Sequence, residues 1–337
     1  EKNDNKNAKT LTNSENDHIY KSVIHTCTSI VLKCIEIDFD NDLIITFVKS
    51  VLQNSITVTA NISASSNDNK ATAEYILNYL PFIAEMEEFI SPVTSAKSHE
   101  YDENHNIFHP IKRDVDQDLI RLVQQYMIVC VLFTVHDPKI LNSWSEPLDR
   151  ISRFLPALLQ RKPKVDFSSV RIRIQELLSL VKPKSIQKTE DVYPIFANIF
   201  PNLPAKQLLS LDFPDSVYAL SIYYIEMIRA ERGIVGPIFE YIEVKYNPAF
   251  TAILDAMFEP ILNTFYSYLS SISDLERRTS CAAFTMKELI TRYCYLNERV
   301  QKRIEPILKN FSDLYPIVVC DPQVISAITN SLGKAGT

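Results

Sequence analysis

Three histidines and three acidic residues, all of types that bind metal ions, lie close together in the segment 91–114. They are His99, His105, His109, Glu100, Asp102 and Glu103. Imidazole and carboxylate groups are the usual nitrogen and oxygen ligands of zinc. A stable site also needs rigid elements to hold its ligands, and this segment has no apolar periodicity. We therefore interpret 91–114 as a flexible, solvated acidic loop, and we predict no metal site.

Nucleophilic catalysis would need a reactive thiol or serine beside a base. Cys281 and Cys294 fall in one predicted helix, too far apart to bind one metal ion, and no histidine follows His136. A cysteine in an apolar periodic segment behaves as a small hydrophobic side chain, so we interpret both as core thiols. The serine elbow of hydrolases, G-x-S-x-G, does not occur in the sequence. We predict no catalytic residue.

Glycine is rare in this chain. Its 337 residues include four glycines, where average usage would give about 24. The first is Gly233. Phosphate-binding loops need glycine for close backbone approach and for positive φ, and neither a dinucleotide fingerprint nor a Walker A loop is present. Asp212-Phe213-Pro214 only superficially resembles the D-F-G motif of kinases, and the other kinase motifs are missing. We predict no cofactor.

The charge balance argues against a nucleic-acid partner. The net charge is −6, whereas nucleic-acid-binding domains usually carry a basic excess. A modest basic cluster could contact an acidic partner or anionic lipid, or could simply be a solvated helix rim. Its residues are Lys162, Lys164, Arg171, Arg173, Lys182 and Lys184. The six cysteines include no C-x-x-C pair, which favours a reducing, cytosolic or nuclear compartment.

Apolar residues recur three and four positions apart along most of the chain, which predicts helices. The type of 42–58 is ambiguous, and 61–70 is predicted to be a polar linker. Prolines fall mostly at the seams between periodic stretches, as stacked helical hairpins require. The longest apolar run, 126–133, is shorter than the ~20 residues of a membrane span, so we expect a buried core helix and no transmembrane span. The predicted helices are 18–37, 71–90, 116–135, 141–159, 168–181, 191–200, 215–232, 237–246, 248–270, 274–296, 298–315 and 322–332.

Two helix junctions can be read from glycine and proline. Gly233 and Gly236 stand between a predicted helix and Pro237, the usual order at a seam between helices. Asp321 is a predicted N-cap of the last helix, and Gly333 is its predicted C′ residue.

The helix 298–315 has a continuous apolar face. We interpret it as intramolecular core between stacked helices, and the alternative is an exposed face that binds a partner. Its residues are Val300, Ile304, Ile307, Leu308, Phe311 and Leu314.

These patterns predict an all-α fold, a HEAT- or armadillo-like α-solenoid of antiparallel helix pairs. Units near 40 residues fit the irregular helix lengths better than the fixed repeats of TPR or ankyrin proteins. We expect a disordered polar tail over 1–17 and a single solenoid domain over 18–337.

Several segments of the C-terminal third resemble a known family. They are Tyr223-Tyr224-Ile225-Glu226-Met227-Ile228-Arg229, Pro237-Ile238-Phe239-Glu240-Tyr241-Ile242-Glu243, Val300-Gln301-Lys302-Arg303-Ile304, Leu308, Asp313-Leu314-Tyr315-Pro316-Ile317-Val318 and 324–332. Their order resembles the helical-repeat region of type III alpha phosphatidylinositol 4-kinases, upstream of the catalytic domain. Tyr315-Pro316 replaces the expected Phe-Pro, and Val319-Cys320 replaces Leu-Trp.

The resemblance implies a solenoid segment of a large lipid kinase, without the active site. It also implies assembly with scaffold subunits, and peripheral membrane association through those partners at the cytoplasmic face of the plasma membrane.

We therefore expect a cytoplasmic, non-catalytic scaffold that binds other proteins through the extended surface of a solenoid. Two alternatives stay open. One is a helical adaptor subunit of an RNA-processing or transport complex. The other is a helical-bundle enzyme or carrier with an internal pocket.

Overall fold

Every regular element that the structure describes is a helix. The computed structural model describes residues 19, 22, 23, 25–31, 33, 41–65, 69–84, 116–134, 157, 158, 167–181, 183–243, 247–294 and 298–335. No strand occurs within these ranges, so the all-α prediction is confirmed. The predicted tail 1–17, the loop 91–114 and nearly all of the predicted helix 141–159 lie outside the described residues.

The elements described in full are eleven α-helices and two short 3-10 helices, η1 and η2. In chain order they are α1 (Asn41–Ser65), α2 (Asn69–Ala84), α3 (Gln117–Thr134), α4 (Phe167–Leu180), α5 (Thr189–Ile199), α6 (Ala205–Leu208), α7 (Phe213–Ala230), η1 (Gly236–Glu243), α8 (Pro248–Ser271), α9 (Leu275–Tyr293), α10 (Glu298–Leu314), η2 (Pro316–Cys320) and α11 (Pro322–Ala335).

The chain divides into two compact units. The first comprises 1–154 with 180–184, and the second comprises 155–179 with 185–337. The single solenoid domain predicted for 18–337 stays a prediction.

In the first unit, α1, α2 and α3 pack against one another in all three pairings. Every residue from Tyr126 to Phe133 on α3 is buried, which confirms the predicted core helix. Asp116 caps this helix: its Oδ1 accepts hydrogen bonds from Asp118 N (2.9 Å) and Leu119 N (2.8 Å). Its Oδ2 accepts from Lys49 Nζ of α1 at 2.7 Å. The cap therefore also ties α3 to α1.

The linker predicted over 61–70 is wrong at 69–70, where α2 begins, and at 61–65, because α1 continues to Ser65. Serine and threonine there satisfy their hydroxyls on the helix itself. Ser65 Oγ donates to Asn61 O at 2.9 Å, and Thr59 Oγ1 donates to Ser55 O at 2.7 Å. Ser63 is buried. Packing against the neighbouring helices thus overrides the turn preference of this polar sequence.

Helix α1 is the one described helix that is long and apolar enough to cross a membrane. Within its segment Asp42–Ser65, an 18-residue stretch has a mean hydropathy of 1.3, and 39% of that stretch is buried. Val48 and Leu52 are fully buried. Core helices of soluble proteins can be equally long and apolar, so the length and hydropathy of α1 are weak evidence for a membrane span.

In the second unit, α7 is the most enclosed helix: thirteen of its residues are buried. It packs against α5 and α8, and α8 packs against α9. Asn247 joins the two helices, since its Oδ1 accepts from Phe250 N (2.7 Å) at the start of α8 and its Nδ2 donates to the buried Asp215 of α7 (3.3 Å).

The predicted glycine junction after α7 is confirmed at Gly233. Gly233 has φ +85°, its N–H donates to Ala230 O (3.1 Å), and Ile234 N donates to Arg229 O (2.9 Å). These two bonds form the Schellman motif, in which a left-handed residue ends a helix.

The last helix departs from its prediction at one end. Asp321 caps it as predicted, with Gln323 N donating to its Oδ1 at 2.8 Å. Gly333, however, is helical, because α11 runs to Ala335. The prediction of Gly333 as a C′ residue is therefore wrong. A helical glycine costs about 1 kcal/mol relative to alanine, which the end of a packed helix tolerates.

Candidate functional site

Among the residues that the structure describes, the chemistry-bearing side chains singled out in the sequence do not form one site. The histidine loop lies outside the described residues, as do Lys162, Lys164 and Lys182. Arg171 forms an ion pair with Asp212, and Lys184 belongs to the other compact unit. Within the described ranges no group of three histidine, cysteine or acidic side chains could hold a metal ion.

The two cysteines of α9 have different surroundings. Cys281 is half-buried beside Gly233, with its Sγ 4.0 Å from Gly233 O, and burial raises the pKa of its thiol. Cys294 is exposed, so its interpretation as a core thiol is wrong. The physical reason is its place at the C-terminal cap of α9, where the buried face of the helix ends.

The apolar face of α10 is core, as the first interpretation proposed. Val300, Ile304, Ile307 and Phe311 are buried, and the Phe311 ring stacks on Phe265 of α8 with centroids 5.8 Å apart. The remaining two members differ: Leu308 is half-buried, and Leu314 is exposed.

A buried ion pair, which the sequence patterns did not predict, lies inside α7. Glu226 and Arg229 are one helical turn apart, and Arg229 Nη1 donates to Glu226 Oε1. Both side chains are 1% exposed. Removing two charges from water costs several kcal/mol for each ion unless further hydrogen bonds are formed. One such bond reaches Glu226 from the buried Tyr241 of η1.

One tyrosine connects the ion pair to Leu158, in the chain before α4, and a second tyrosine bonds to the same leucine. Tyr241 Oη of η1 donates to Glu226 Oε1 at 2.9 Å and accepts from Leu158 N at 2.9 Å. Tyr218 Oη of α7 donates to Leu158 O at 2.6 Å. Both backbone groups of Leu158 are therefore bonded to tyrosine hydroxyls. We call Glu226, Arg229, Tyr241, Tyr218 and Leu158 the Leu158 clamp.

The role of the Leu158 clamp is structural. Burial raises the pKa of Glu226, although the charge of Arg229 and the hydrogen bond from Tyr241 lower it. Burial also raises the pKa of Tyr241 well above its usual value. A general acid or base must touch its substrate, and Glu226 is sealed from solvent. The sequence signal for this buried ion pair was a predicted helix that is apolar on all sides and carries two opposite charges three residues apart.

A shallow groove runs along the first half of α10. It is lined by Glu298, Arg299, Lys302, Arg303 and Pro306. Three cations and one carboxylate thus face one open surface of a chain whose net charge is negative. We call it the α10 groove.

Asp255 of α8 holds the two arginines of the groove. Arg303 Nη2 lies 3.0 Å from Asp255 Oδ1, whereas Arg299 Nη2 lies 3.4 Å from Asp255 Oδ2. The Arg303 guanidinium also lies 5.3 Å from the centre of the Phe258 ring, a cation–π distance. Arg303 is thus fixed by two contacts, whereas the bond from Arg299 to Asp255 is long.

Four large apolar side chains are exposed where α10, η2 and α11 follow one another. Leu314, Ile317, Val319 and Ile325 are between 36% and 69% exposed. We call these residues the α10–α11 corner. Singly exposed apolar residues are ordinary on soluble proteins, but four within twelve residues mark a candidate interaction surface.

Comparison of the chain with protein-family models, curated proteins and solved structures finds no match. The resemblance to type III alpha phosphatidylinositol 4-kinases stays a prediction. Function is therefore argued from the surfaces and contacts described above.

Proposed function

We propose that this chain is a non-catalytic helical scaffold that binds other proteins, with its helices stacked as a HEAT- or armadillo-like solenoid. The observation that carries the proposal is the α10–α11 corner. Water-exposed apolar surface of this kind is unfavourable unless a partner covers it.

The packing order of the second unit supports the solenoid part of the proposal. Helix α7 packs on α8, α8 on α9, and α9 on α10, and both α9 and η2 pack on α11. Packing of each element mainly on near neighbours in the chain is the property that defines solenoids. Such a stack leaves an extended surface for partners.

The family part of the proposal is that this scaffold is the helical-repeat segment of a large phosphatidylinositol 4-kinase, cytoplasmic and brought to the plasma membrane by its partners. Supporting it, Tyr223 to Arg229 lie within α7, and Tyr315-Pro316 forms the turn into η2. Its test is the transcript downstream of the Thr337 codon. Lipid-kinase catalytic motifs in the same reading frame would support it, and a stop codon at that point would contradict it.

The scaffold proposal is tested by affinity purification of three tagged forms from the native cell, followed by quantitative mass spectrometry. They are the natural chain, the double variant Ile317→Asp/Ile325→Asp, and the control Leu275→Asp, which puts the same charge on an exposed leucine of α9. Circular dichroism checks that all three stay helical.

We expect a defined set of proteins to copurify with the natural chain and with Leu275→Asp, and to be lost from the double variant. Recovery of the same proteins with all three forms would refute the corner as the binding surface. RNA-processing or transport factors in that set would favour the adaptor alternative over the kinase segment.

A further inference from the structure

We propose that the α10–α11 corner binds an amphipathic helix of a partner protein, one whose apolar face is bordered by lysine or arginine. This partner class rests on the proposed scaffold function, because the corner is the surface on which that function depends. What is added is the chemistry of the partner: its fold at the contact and the sign of its charge.

The corner is anchored by residues that point into the core. Val318 and Val324 are fully buried, so both η2 and the start of α11 are fixed from below. Asp321 N donates to Val318 O at 3.0 Å and closes the turn between them. Ile317 and Val319, on either side of Val318, are exposed. A partner therefore meets a surface that is already formed, which lowers the entropy cost of binding.

The residues that form the corner carry negative charge. Between positions 311 and 327 the charged side chains are Asp313 and Asp321, and there is no lysine or arginine. Asp313 is exposed and directly precedes the exposed Leu314, and Asp321 lies one turn before the exposed Ile325. The nearest cation along α10 is Lys309, one turn before Asp313 on the side away from η2. An apolar surface is thus bordered by two carboxylates.

This charge pattern selects among the possible occupants. In a symmetric contact between two copies of the chain, the same patch faces itself. The corner would then bring carboxylates against carboxylates, which is unfavourable in an interface. Anionic lipid attracts basic segments, so a negative border disfavours it as well. A partner protein with cations beside an apolar face matches both features of the corner.

A helix suits the apolar part of the surface. On α11, Val324 and Ala327 are buried, whereas Ile325 is 50% exposed. Its exposed neighbours Ser326 and Thr329 carry no charge. Helix α9 packs on α11, and a partner helix can pack on the outer side in the same manner. An amphipathic helix gathers its apolar side chains in one stripe with polar residues at the borders, whereas an extended chain sends alternate side chains to opposite faces.

The test is fluorescence anisotropy with the purified chain and a labelled peptide of about 15 residues, long enough to form a helix on binding. Leucines at helical spacing form one face of the peptide, and lysines border it. The control peptide has glutamate in place of every lysine.

Three variants of the protein test the two features of the corner. Asp313→Lys reverses an exposed charge at its border, and the control Glu190→Lys reverses the charge of exposed Glu190 on α5. Ile317→Ser/Ile325→Ser removes apolar surface from the corner without adding charge. Circular dichroism checks the fold of each variant.

We expect the lysine peptide to bind the natural chain and Glu190→Lys equally, and Asp313→Lys roughly tenfold more weakly. Binding to Ile317→Ser/Ile325→Ser should weaken by at least about tenfold, because less apolar surface is buried. The glutamate peptide should bind the natural chain poorly and should bind Asp313→Lys more tightly than the natural chain.

Four results would overturn the basic helical partner: no binding of the lysine peptide to the natural chain, equal binding of the glutamate peptide, equal affinity of the lysine peptide for Ile317→Ser/Ile325→Ser and the natural chain, or equal effects of Asp313→Lys and Glu190→Lys. A dimer of the natural chain that is lost in Ile317→Ser/Ile325→Ser, measured by sedimentation, would also overturn it, by assigning the corner to a second copy. Binding of anionic phospholipid vesicles that the same variant loses, without peptide binding, would assign the corner to a lipid surface.

Failure of this partner class can be told apart from failure of the scaffold function. If the lysine peptide does not bind but Ile317→Asp/Ile325→Asp still loses its copurifying proteins, the scaffold function stands and the basic helix is refuted. If Ile317→Asp/Ile325→Asp keeps those proteins, the scaffold function fails whatever the peptide does.

Discussion

The hydroxyl of Tyr241 donates a hydrogen bond to Glu226 Oε1 at 2.9 Å, and both side chains are fully buried. The same hydroxyl accepts from Leu158 N. One phenol therefore stabilises the charge of an ion pair inside α7 and fixes the backbone of a residue far away in the chain. The second unit of the molecule is held together at this point by polar contacts, with apolar packing around them.

Replacing Arg229 with methionine should strongly destabilise the second unit. The change leaves the Glu226 carboxylate buried without its cation, a situation that costs about 3–5 kcal/mol. Equilibrium urea unfolding followed by circular dichroism measures the loss. The control is Glu298→Gln, which breaks an exposed pair with Lys302 and should cost less than about 1 kcal/mol. Adding Glu226→Leu to Arg229→Met should recover most of the stability. If the double variant is no more stable than Arg229→Met, the charge is not the cause.

Tyr241→Phe should loosen the segment that contains Leu158. The variant keeps the ring and removes the hydroxyl, so Leu158 N loses its acceptor and Glu226 loses a donor. A buried group left without a partner costs about 1–3 kcal/mol. Hydrogen exchange of the Leu158 amide should become faster, as NMR or mass spectrometry can measure. The control is Tyr224→Phe on the half-buried Tyr224 of α7, which should leave that amide unchanged. Equal exchange in the natural protein and Tyr241→Phe would contradict the clamp.

Apolar periodicity alone was enough to place α3 and the helices from α7 to α11, because each buries one continuous face or is buried on all sides. It failed for residues 61–65, where a serine-rich sequence with the composition of a turn stays helical through hydroxyl bonds to its own carbonyls. Local composition predicts a turn there. Packing of the helix against α2 and α3 decides otherwise.

The Leu158 clamp could not be predicted from periodicity, because a charge in a helix is normally assigned to the solvent side. Glu226 violates that rule, and its partner Tyr241 lies 15 residues away. Leu158 lies 83 residues from Tyr241.

The α10 groove could be predicted only in part. The helical spacing of Arg299 and Arg303 puts them on one face, but Asp255, which is 44 residues from Arg299, comes from another helix. Pairing over such distances is a property of the tertiary fold.

The Asp116 cap gives the first unit a dependence on pH. Burial alone would raise the pKa of Asp116, but the hydrogen bond and charge of Lys49 and the two backbone donors lower it below its usual value. A lowered pKa in the folded state means that the carboxylate stabilises the fold above its unfolded pKa. That contribution is lost as the pH falls through the folded pKa.

Asp116→Asn should therefore flatten the acid side of the stability curve, measured as the free energy of unfolding in urea between pH 6 and pH 3. Asparagine can still cap the helix but carries no charge for Lys49. The control Asp118→Asn changes an exposed carboxylate two residues away, in a pair with Arg121. If the free energy of unfolding falls equally with decreasing pH in Asp116→Asn and in the natural chain, the pKa of Asp116 does not change on folding.

Gly233→Ala should destabilise the junction between α7 and η1, and Gly236→Ala should not. Gly233 has φ +85°, and a Cβ at this position would lie 2.5 Å from Tyr268 Cε1 and 3.1 Å from Cys281 Sγ. The left-handed conformation alone costs an alanine about 1–2 kcal/mol, and the overlap with the Tyr268 ring adds to it. At Gly236 the nearest atoms to a Cβ are 3.9 Å away, on Arg292 and Glu288, which is ordinary contact. Thermal unfolding of the two variants compares the same added methyl group three residues apart. Equal melting temperatures would mean that the chain can end α7 without a left-handed residue.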